Sequence, residues 1–230
     1  MGGTYMRIGV VLAGGSGKRM GFDIPKQFIM LDGKPMLYYS IKAYEESSAD
    51  HIVVVSREDY IDHIKKDIAG TYGLKKVAAV VKGGKERFDS VYEALLFIKK
   101  EYGTERDVTV SIHDGARPYI SSEKIDESFT MAESCGACIL AVPAKDTIKI
   151  VDKDMSVIDT PRRDMLYMVQ TPQVFRLSVI EEAFANWKKT SDQDITDDAM
   201  MVERYTDCKV KVLMGDYGNI KITTREDMRL

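Results

Sequence analysis

The feature that most constrains the fold of this chain is the alternation of short, β-branched apolar runs with longer segments of helical period. The apolar runs predict strands at Ile8–Leu12, His51–Ser56, Lys76–Val81, Val108–His113, Cys138–Val142 and Val210–Met214. The segments between them predict helices at Pro35–Glu46, Glu58–Thr71, Asp89–Glu101, Glu123–Ser134, Ser178–Asn186 and Asp197–Tyr205. Such alternation is typical of a mostly parallel sheet with helices on both faces, so we predict an α/β fold.

One region, at about 144–167, interrupts this alternation. It has no helical period, and two short segments that favour strands, Thr147–Val151 and Val157–Thr160, flank a polar turn. The pattern predicts a β-hairpin arm that protrudes from the domain. Because an isolated hairpin is only marginally stable in water, we expect the arm to pack on a second copy of the chain and form a homodimer. The chain shows no linker or internal repeat, so residues 1–230 are predicted to form one domain with this arm.

The composition excludes several classes of protein. The 230 residues are 44% hydrophobic, enough for a sizeable core, and the net charge of −3 gives no general attraction to nucleic acid. No apolar run approaches the roughly 18 residues that span a bilayer, and the N-terminus lacks a secretory pattern. Three cysteines suit a reducing compartment, and the single C-x-x-C of Cys135 and Cys138 predicts free thiols. We therefore expect a cytoplasmic protein that binds neither nucleic acid nor membrane.

The first predicted strand runs directly into a glycine-rich turn that carries positive charge. Residues 14–17 read Gly-Gly-Ser-Gly, and Lys18, Arg19 and Lys26 place three cations within nine residues. Glycines allow the backbone N–H groups to approach a ligand closely, and a concave row of such groups binds anions. The turn therefore predicts a polyphosphate site. The alternative is a surface turn whose cations only maintain solubility.

The common phosphate-binding motifs do not fit this turn. A P-loop requires Ser or Thr after Gly-Lys, and here Arg19 follows Gly17 and Lys18. The dinucleotide fingerprint requires a third glycine where this chain has Met20. Both a P-loop ATPase and a nicotinamide-dependent oxidoreductase are therefore disfavoured.

Polar loops follow other predicted strands, at the sheet edge where ligands bind in such folds. Asp114 ends the fourth strand, where a carboxylate can meet a metal-bound nucleotide or a substrate hydroxyl, and Arg117 can hold a phosphate. The alternative is a turn-forming Asp-Gly bridged by the arginine. In the loop 83–90, Ser90 can contact a base or cap its own helix. We expect His113 to be a packed side chain.

Seven motifs occur in the order and spacing of a known family. They are Leu12–Met20 with Pro25–Gln27, Gly83–Ser90, His113–Pro118, Asp146–Lys149, Gln170–Gln173, Thr196–Ala199 and Asn219–Thr224. From about residue 7 to its end, the chain resembles the sugar-phosphate cytidylyltransferases, and in particular the 2-C-methyl-D-erythritol 4-phosphate cytidylyltransferases of the non-mevalonate isoprenoid pathway. The resemblance implies a Rossmann-like sheet of the nucleotide-diphospho-sugar transferase type. It also implies CTP and a sugar phosphate as substrates and Mg²⁺ as the cofactor, with unknown metal ligands.

The resemblance also implies roles for individual residues. The implied CTP-binding residues are Ala13, Gly14, Gly15, Gly17, Gly84, Ser90 and Asp114. The implied sugar-phosphate-binding residues, some of them supplied by the arm of a neighbouring subunit, are Asp114, Arg117, Thr147, Arg163, Thr171, Thr196 and Lys221. The implied catalytic cations are Arg19, Lys26, Lys221 and Arg163. In the implied reaction, the sugar phosphate attacks the α-phosphorus of CTP in line and pyrophosphate leaves.

Some residues depart from the family pattern, and other functions stay open. Lys85 stands where an acidic residue is common, and Tyr167 stands where Trp is common. A helix is expected to start at Thr223, and in relatives that helix continues past the position of Leu230. One alternative is a pentitol-phosphate cytidylyltransferase of teichoic acid synthesis, which shares most motifs. The sequence of residues 113–117 favours the methylerythritol branch, whereas that of residues 12–15 is commoner in the pentitol branch. A non-catalytic nucleotide-binding module is the second alternative, and its expected mark is loss of the cations.

Overall fold

The fold is described from a computed structural model that covers residues 5–15, 24–103, 107–190, 194–224 and 226–229. The strands are β1 Met6–Leu12, β2 Met30–Leu31, β3 Lys34–Pro35, β4 His51–Ser56, β5 Val77–Lys82, β6 Val108–Asp114, β7 Ala137–Pro143, β8 Ile150–Val151, β9 Val157–Asp159, β10 Tyr167–Arg176 and β11 Lys211–Met214. The α-helices are α1 Met36–Glu46, α2 Ile61–His63, α3 Arg87–Tyr102, α4 Ser122–Cys135, α5 Leu177–Trp187 and α6 Asp198–Tyr205. Short 3-10 turns span Lys26–Phe28, Glu58–Tyr60, Arg163–Met165 and Glu226–Arg229.

A seven-stranded sheet forms the centre of the molecule, in the order β11-β7-β10-β6-β1-β4-β5. All neighbouring pairs are parallel except those made by β10, which runs antiparallel to both β6 and β7. Six parallel strands (β1, β4, β5, β6, β7 and β11) therefore end at one edge of the sheet, and β10 begins there. The predicted α/β class and mostly parallel sheet are confirmed.

Helices cover both faces of the sheet because alternate strand residues point to opposite sides. In β1, Val10 packs in one apolar cluster with residues of α3, α5 and α6, whereas Val11 packs in another with residues of α1 and α4. Two helices begin at side-chain caps. Ser121 accepts a hydrogen bond from the Lys124 N–H, and Asp197 accepts one from the Met200 N–H. The two apolar clusters thus hold the helices against the sheet, and the ends of the strands position the loops that follow them.

Two elements differ from the sequence prediction. The helix expected over 58–71 consists of a 3-10 turn, the short α2 and a π-helical segment at Ile64–Gly70. Strand β10 is not predicted at all, because Pro172 interrupts its pattern and proline is rare inside a sheet. The ladder between β10 and β7 shifts register between Val169 and Gln173, which accommodates that proline.

The predicted arm is present as a hairpin in which β8 pairs antiparallel with β9. It leaves the sheet after β7 and returns at the start of β10, at the edge where the parallel strands end. Its large apolar side chains are exposed, with Met155 76% accessible and Ile158 64% accessible. Among the described residues, no helix has the length and apolar character needed to cross a membrane.

Candidate active site

A cleft of about 480 Å³ opens at the edge where the parallel strands end. Seven of the residues implicated by sequence line it: Gly14, Gly15, Lys26, Gly84, Ser90, Asp114 and Lys221. They come from five places in the chain: at or after the ends of β1, β5, β6 and β11, and in the 3-10 turn at 26–28. A larger groove of about 860 Å³ lies between α4 and β11, and no residue implicated by sequence lines it. The fold thus gathers distant motifs at one edge.

Ala13, which follows β1 and precedes the glycines, is held by a backbone and a side-chain hydrogen bond. The Ala13 N–H donates to the Val55 carbonyl (2.7 Å), and the Ala13 carbonyl accepts from Nε2 of the buried Gln27 (2.5 Å). Gln27 therefore fastens the segment that carries Lys26 to the end of β1. Nζ of Lys26 donates to the Ile222 carbonyl at 3.2 Å, which brings this cation beside the loop of Lys221. Gly17 and Arg19 lie outside the described residues.

The paired glycines after β5 are required by packing against the start of α3. A Cβ on Gly84 would lie 2.1 Å from Cβ of Asp89, and one on Gly83 would lie 2.7 Å from Oγ of Ser90. Glu86 and Asp89 cap α3 as a reciprocal pair. The Ser90 hydroxyl donates to the Glu86 carbonyl (3.1 Å) within the first turn, so it is not the N-terminal cap of this helix.

Three cations surround the carboxylate of Asp114 at the end of β6. Nζ of Lys221 lies 2.8 Å from Oδ2, Nε of Arg117 lies 3.9 Å from the same oxygen, and Nε of Arg87 lies 3.9 Å from Oδ1. Burial alone would raise the pKa of Asp114, but Lys221 and Arg87 outweigh burial and lower that pKa to about 2. Arg87 is also paired with Asp198 (2.7 Å), so three cations face two carboxylates, and the remaining positive charge suits an anionic ligand.

Arg87 is a residue of this site that sequence analysis did not single out. Its Nη2 donates to Oδ2 of the fully buried Asp198 at 2.7 Å, and it lines the cleft. Burial lowers the pKa of the guanidinium, but the charge of Asp198 outweighs burial and raises it, so Arg87 stays charged. Arg87 belongs to the quoted motif 83–90, yet no sequence pattern links it to a carboxylate 111 residues away.

The motifs at 170–173 and 196–199 meet at the start of α6. Gln173 donates through Nε2 to Oδ2 of Asp197 (2.8 Å) and accepts through Oε1 from the Ala199 N–H (3.0 Å). The carboxylate of Asp197 caps the helix. Thr196 is exposed, with Oγ1 3.4 Å from Sδ of Met200, and it does not line the cleft.

A buried ring of hydrogen bonds lies behind Asp114. The Thr171 hydroxyl accepts from the Asp114 N–H (3.0 Å) and lies 3.1 Å from Nδ1 of His113, whose Nε2 lies 3.1 Å from the Arg117 carbonyl. Arg117 Nη1 donates to the Asn219 carbonyl (2.8 Å), and Asn219 Nδ2 donates to the Thr171 carbonyl (2.9 Å). Burial lowers the pKa of His113 to about 4, so its ring is neutral at pH 7. The expectation that His113 is a packed side chain is confirmed.

The arm residues Thr147 and Arg163 do not reach the cleft of their own chain. Both are exposed, and Arg163 contacts the Lys145 carbonyl through Nη1 at 3.3 Å. Within one chain, the structure therefore separates these two predicted sugar-phosphate residues from Asp114 and Lys221.

Among the described residues, no group of three or more His, Cys, Asp or Glu side chains is arranged to hold a metal ion. The cysteines 135, 138 and 208 are free thiols, as expected, and burial raises the pKa of Cys138 to about 12. Within the cleft, Asp114 is the carboxylate placed among the cations, and Glu86 is engaged in capping α3.

Comparisons with known proteins agree over nearly the whole chain. A profile of the 2-C-methyl-D-erythritol 4-phosphate cytidylyltransferase family matches residues 8–230. The protein of that name from Lachnospira eligens is 46% identical over 228 residues, covering 98% of this chain and 97% of the relative. The solved 4-diphosphocytidyl-2C-methyl-D-erythritol synthase from Anaerococcus prevotii superposes with a TM-score of 0.84 at 34% identity, covering 98% of this chain and 93% of that one. The Francisella tularensis 2-C-methyl-D-erythritol 4-phosphate cytidylyltransferase gives a TM-score of 0.77 at 33% identity, covering 97% of each chain.

Proposed function

Because the chain belongs to the 2-C-methyl-D-erythritol 4-phosphate cytidylyltransferase family, we propose that it transfers a cytidylyl group from CTP to 2-C-methyl-D-erythritol 4-phosphate. The products are pyrophosphate and 4-diphosphocytidyl-2-C-methyl-D-erythritol, an intermediate of non-mevalonate isoprenoid biosynthesis. The observation that carries this proposal at the site is the cluster of Lys221, Arg87 and Arg117 around Asp114, beside a glycine turn and Lys26. We also propose that the reaction takes place in the cytoplasm.

We propose that the two sides of the cleft bind different parts of CTP. The loops of Gly84 and Ser90 lie on the β4–β5 side and would hold the cytosine base. The turn at 13–15 and 17 would hold the nucleotide with its backbone N–H groups, and Asp114 would contact the ribose. Lys26, together with Arg19, would then neutralise the triphosphate.

The chemistry needs charge neutralisation and alignment more than a general base, because an ionised phosphate is already a nucleophile. The phosphate oxygen of the acceptor attacks the α-phosphorus in line, and the bond to the pyrophosphate oxygen breaks. Lys221 and Lys26 would stabilise the charge that accumulates on the phosphate oxygens, since fixed cations act most strongly in a partly closed site. Positioning of the two anions supplies much of the remaining rate enhancement.

The donor set of the cleft fits Mg²⁺ as an ion carried by the nucleotide. Mg²⁺ is usually held by one or two carboxylates together with substrate phosphates and water, and Asp114 is a carboxylate in the right part of the cleft. We propose that Asp114 and the phosphate oxygens would hold the ion. A bound Mg²⁺ would neutralise part of the triphosphate charge.

We also propose that the chain acts as a homodimer in which the arm completes the site of its neighbour. The arm and the adjoining start of β10 expose many large apolar side chains: Ile148, Ile150, Val151, Met155, Val157, Ile158, Met165, Tyr167, Met168 and Val169. Exposed apolar patches of this kind mark interaction sites. Thr147 and Arg163 lie on the same arm, so a dimer would carry them to the sugar phosphate of the partner.

The test of the function is a pyrophosphate-release assay with CTP and Mg²⁺. We expect turnover with 2-C-methyl-D-erythritol 4-phosphate and little with ribitol 5-phosphate. Preference for ribitol 5-phosphate would instead support the pentitol branch, and CTP binding without turnover on either acceptor would support a binding module. Lys66→Ala, which removes an exposed lysine on a helix outside the cleft, serves as the matched control for Lys221→Ala.

The test of the dimer is sedimentation at several protein concentrations. Ile158→Asp should shift the chain toward monomer and reduce activity in parallel, because it places a charge in the apolar face of the arm. Leu96→Asp, at a similarly exposed apolar residue of α3, should leave the assembly unchanged. A wild-type chain that sediments as a monomer at all concentrations would contradict the proposal.

A further inference from the structure

Hydrogen bonds of His113 and Thr171 connect three parts of the site: Asp114, Arg117 and the loop that carries Lys221. Nδ1 of His113 contacts the Thr171 hydroxyl, which accepts a hydrogen bond from the Asp114 N–H. Nε2 of His113 contacts the Arg117 carbonyl. The circuit closes through Asn219, which accepts from Arg117 and donates to Thr171. His113 is completely buried and Thr171 is 5% exposed.

The partners of this circuit determine where the protons lie. A carbonyl oxygen can only accept, so Nε2 of His113 must carry a proton in order to bond Arg117. In a neutral imidazole the other nitrogen, Nδ1, is then an acceptor, so the Thr171 hydroxyl donates its proton to Nδ1. The same hydroxyl oxygen accepts from the Asp114 N–H. This single arrangement leaves every donor and acceptor of the three contacts satisfied.

The circuit also fixes the loop that carries Lys221. Asn219 is held by Arg117 on one side and by Thr171 on the other, and the Ile222 N–H donates to the Ala116 carbonyl at 2.8 Å. Lys221 lies between these two anchor points, with its Nζ 2.8 Å from Asp114. The residues that orient the acidic group therefore also orient its cationic partner.

From this geometry we infer that His113, acting through Thr171, is a positioning residue that holds Asp114, Arg117 and Lys221 in register for the acceptor phosphate. The inference rests on the proposed cytidylyl transfer and refines one of its assignments. The Thr171 hydroxyl has already committed its proton to His113 and one lone pair to Asp114, in a nearly inaccessible position. Thr171 therefore acts through Asp114 instead of contacting the sugar phosphate itself.

The test uses the variants Thr171→Val, Thr171→Ser and His113→Leu, assayed for kcat and KM with each substrate varied separately. We expect Thr171→Val and His113→Leu to lower kcat/KM for the acceptor by about 100-fold, the effect of a displacement of about 1 Å, while KM for CTP changes by less than about threefold. Thr171→Ser retains the hydroxyl and should restore most of the activity. The double variant should be no worse than the poorer single one, since both break the same circuit.

A simple loss of folding is separated from positioning by two controls. His51→Gln alters a histidine at the opposite edge of the sheet, stacked on Tyr102, and should leave kcat/KM unchanged. Full activity in Thr171→Val, or an equal loss in Thr171→Ser, would overturn the inference. A uniform loss in every kinetic parameter that tracks the melting temperature would overturn it as well.

A second measurement does not depend on turnover. In ¹⁵N-histidine NMR spectra at pH 7, with the His113 signals identified from their absence in His113→Gln, we expect a protonated Nε2 and an unprotonated Nδ1. A protonated Nδ1 would refute the inference even in an active enzyme. If the wild-type chain shows this tautomer but releases no pyrophosphate with any acceptor, the proposed reaction fails while the circuit stands.

Discussion

Nζ of Lys221 lies 2.8 Å from Oδ2 of Asp114, and this contact joins the loop after β11 to the end of β6. The carboxylate holds the ammonium in place and also faces Arg87 and Arg117. Because the pKa of Asp114 is lowered to about 2, the carboxylate is ionised at neutral pH. The Asp114–Lys221 pair therefore fixes the position of the Lys221 ammonium that is available to a phosphate.

Asp114→Asn keeps the shape of this side chain and removes its charge. We expect it to lower kcat about 100-fold, because Lys221 loses the partner that orients it and a misplaced catalytic group has costs of that size. The melting temperature should fall as well, because the three cations lose the buried carboxylate that offsets their charge. Steady-state kinetics and thermal unfolding of the same preparation measure both effects, and a variant with wild-type kcat would contradict this role.

Lys26→Ala and Lys221→Ala should each lower kcat on the order of 100- to 1,000-fold, the usual effect of removing one well-placed donor. Their free energies of unfolding should stay close to wild type, since neither side chain is buried in the core. Urea denaturation measures the second quantity. A loss of stability in proportion to activity would show that the lysines are structural. Lys66→Ala is the control for general effects of removing a lysine.

Gly84→Ala should destabilise the chain and weaken CTP binding together. The added Cβ would lie 2.1 Å from Cβ of Asp89, so the loop must move away from α3 at a cost of about 1–3 kcal/mol. Gly14→Ala is the comparison for stability, because its Cβ would meet no atom within 4 Å. Urea denaturation and CTP titration of both variants test this, and equal stability of the two would refute the packing argument.

CTP with Mg²⁺ should raise the melting temperature more than ATP with Mg²⁺, since a ligand stabilises the folded state in proportion to the logarithm of its concentration over Kd. Both nucleotides carry the same triphosphate, so the difference isolates recognition of the base. Thermal unfolding at matched concentrations is the measurement. Equal shifts for the two nucleotides would contradict the assignment of the 83–90 loop to cytosine.

Stability should fall as the pH is lowered from about 7 toward 4. Burial lowers the pKa of His113 from 6.5 to about 4, although Asp114 opposes this effect, so between those values the unfolded chain binds more protons than the folded one. The difference corresponds to about 3 kcal/mol of stability at pH 7 that is lost in acid. In His113→Gln the dependence of the unfolding free energy on pH should be flatter over this range. An unchanged slope in His113→Gln would contradict the prediction.

The strand–helix alternation predicts the sheet well because the apolar runs of its inner strands β1, β4, β6 and β7 are mostly buried between helices on both faces. Strand β10 escapes that logic, because Pro172 and the shift of register break its pattern while tertiary contacts on both sides hold it. The loops at the strand ends can be predicted as binding loops once the sheet is predicted, because ligands in such folds bind at the carboxyl ends of the strands. Which side chains meet inside them depends on contacts distant in sequence. Arg87 with Asp198, and His113 with Thr171, are such contacts, and no local pattern encodes either pair.

The reversed direction of β10 has a consequence for how such an enzyme can diversify. A parallel strand can only end at the ligand-binding edge, but β10 starts there, and the chain reaches it through the arm. The arm therefore enters and leaves the body of the molecule through two neighbouring positions, without crossing the core. Under the proposed dimer, changes in its length or sequence alter recognition of the acceptor in the other subunit and leave the nucleotide cradle intact. Specificity for the acceptor can thus change in evolution independently of specificity for the nucleotide.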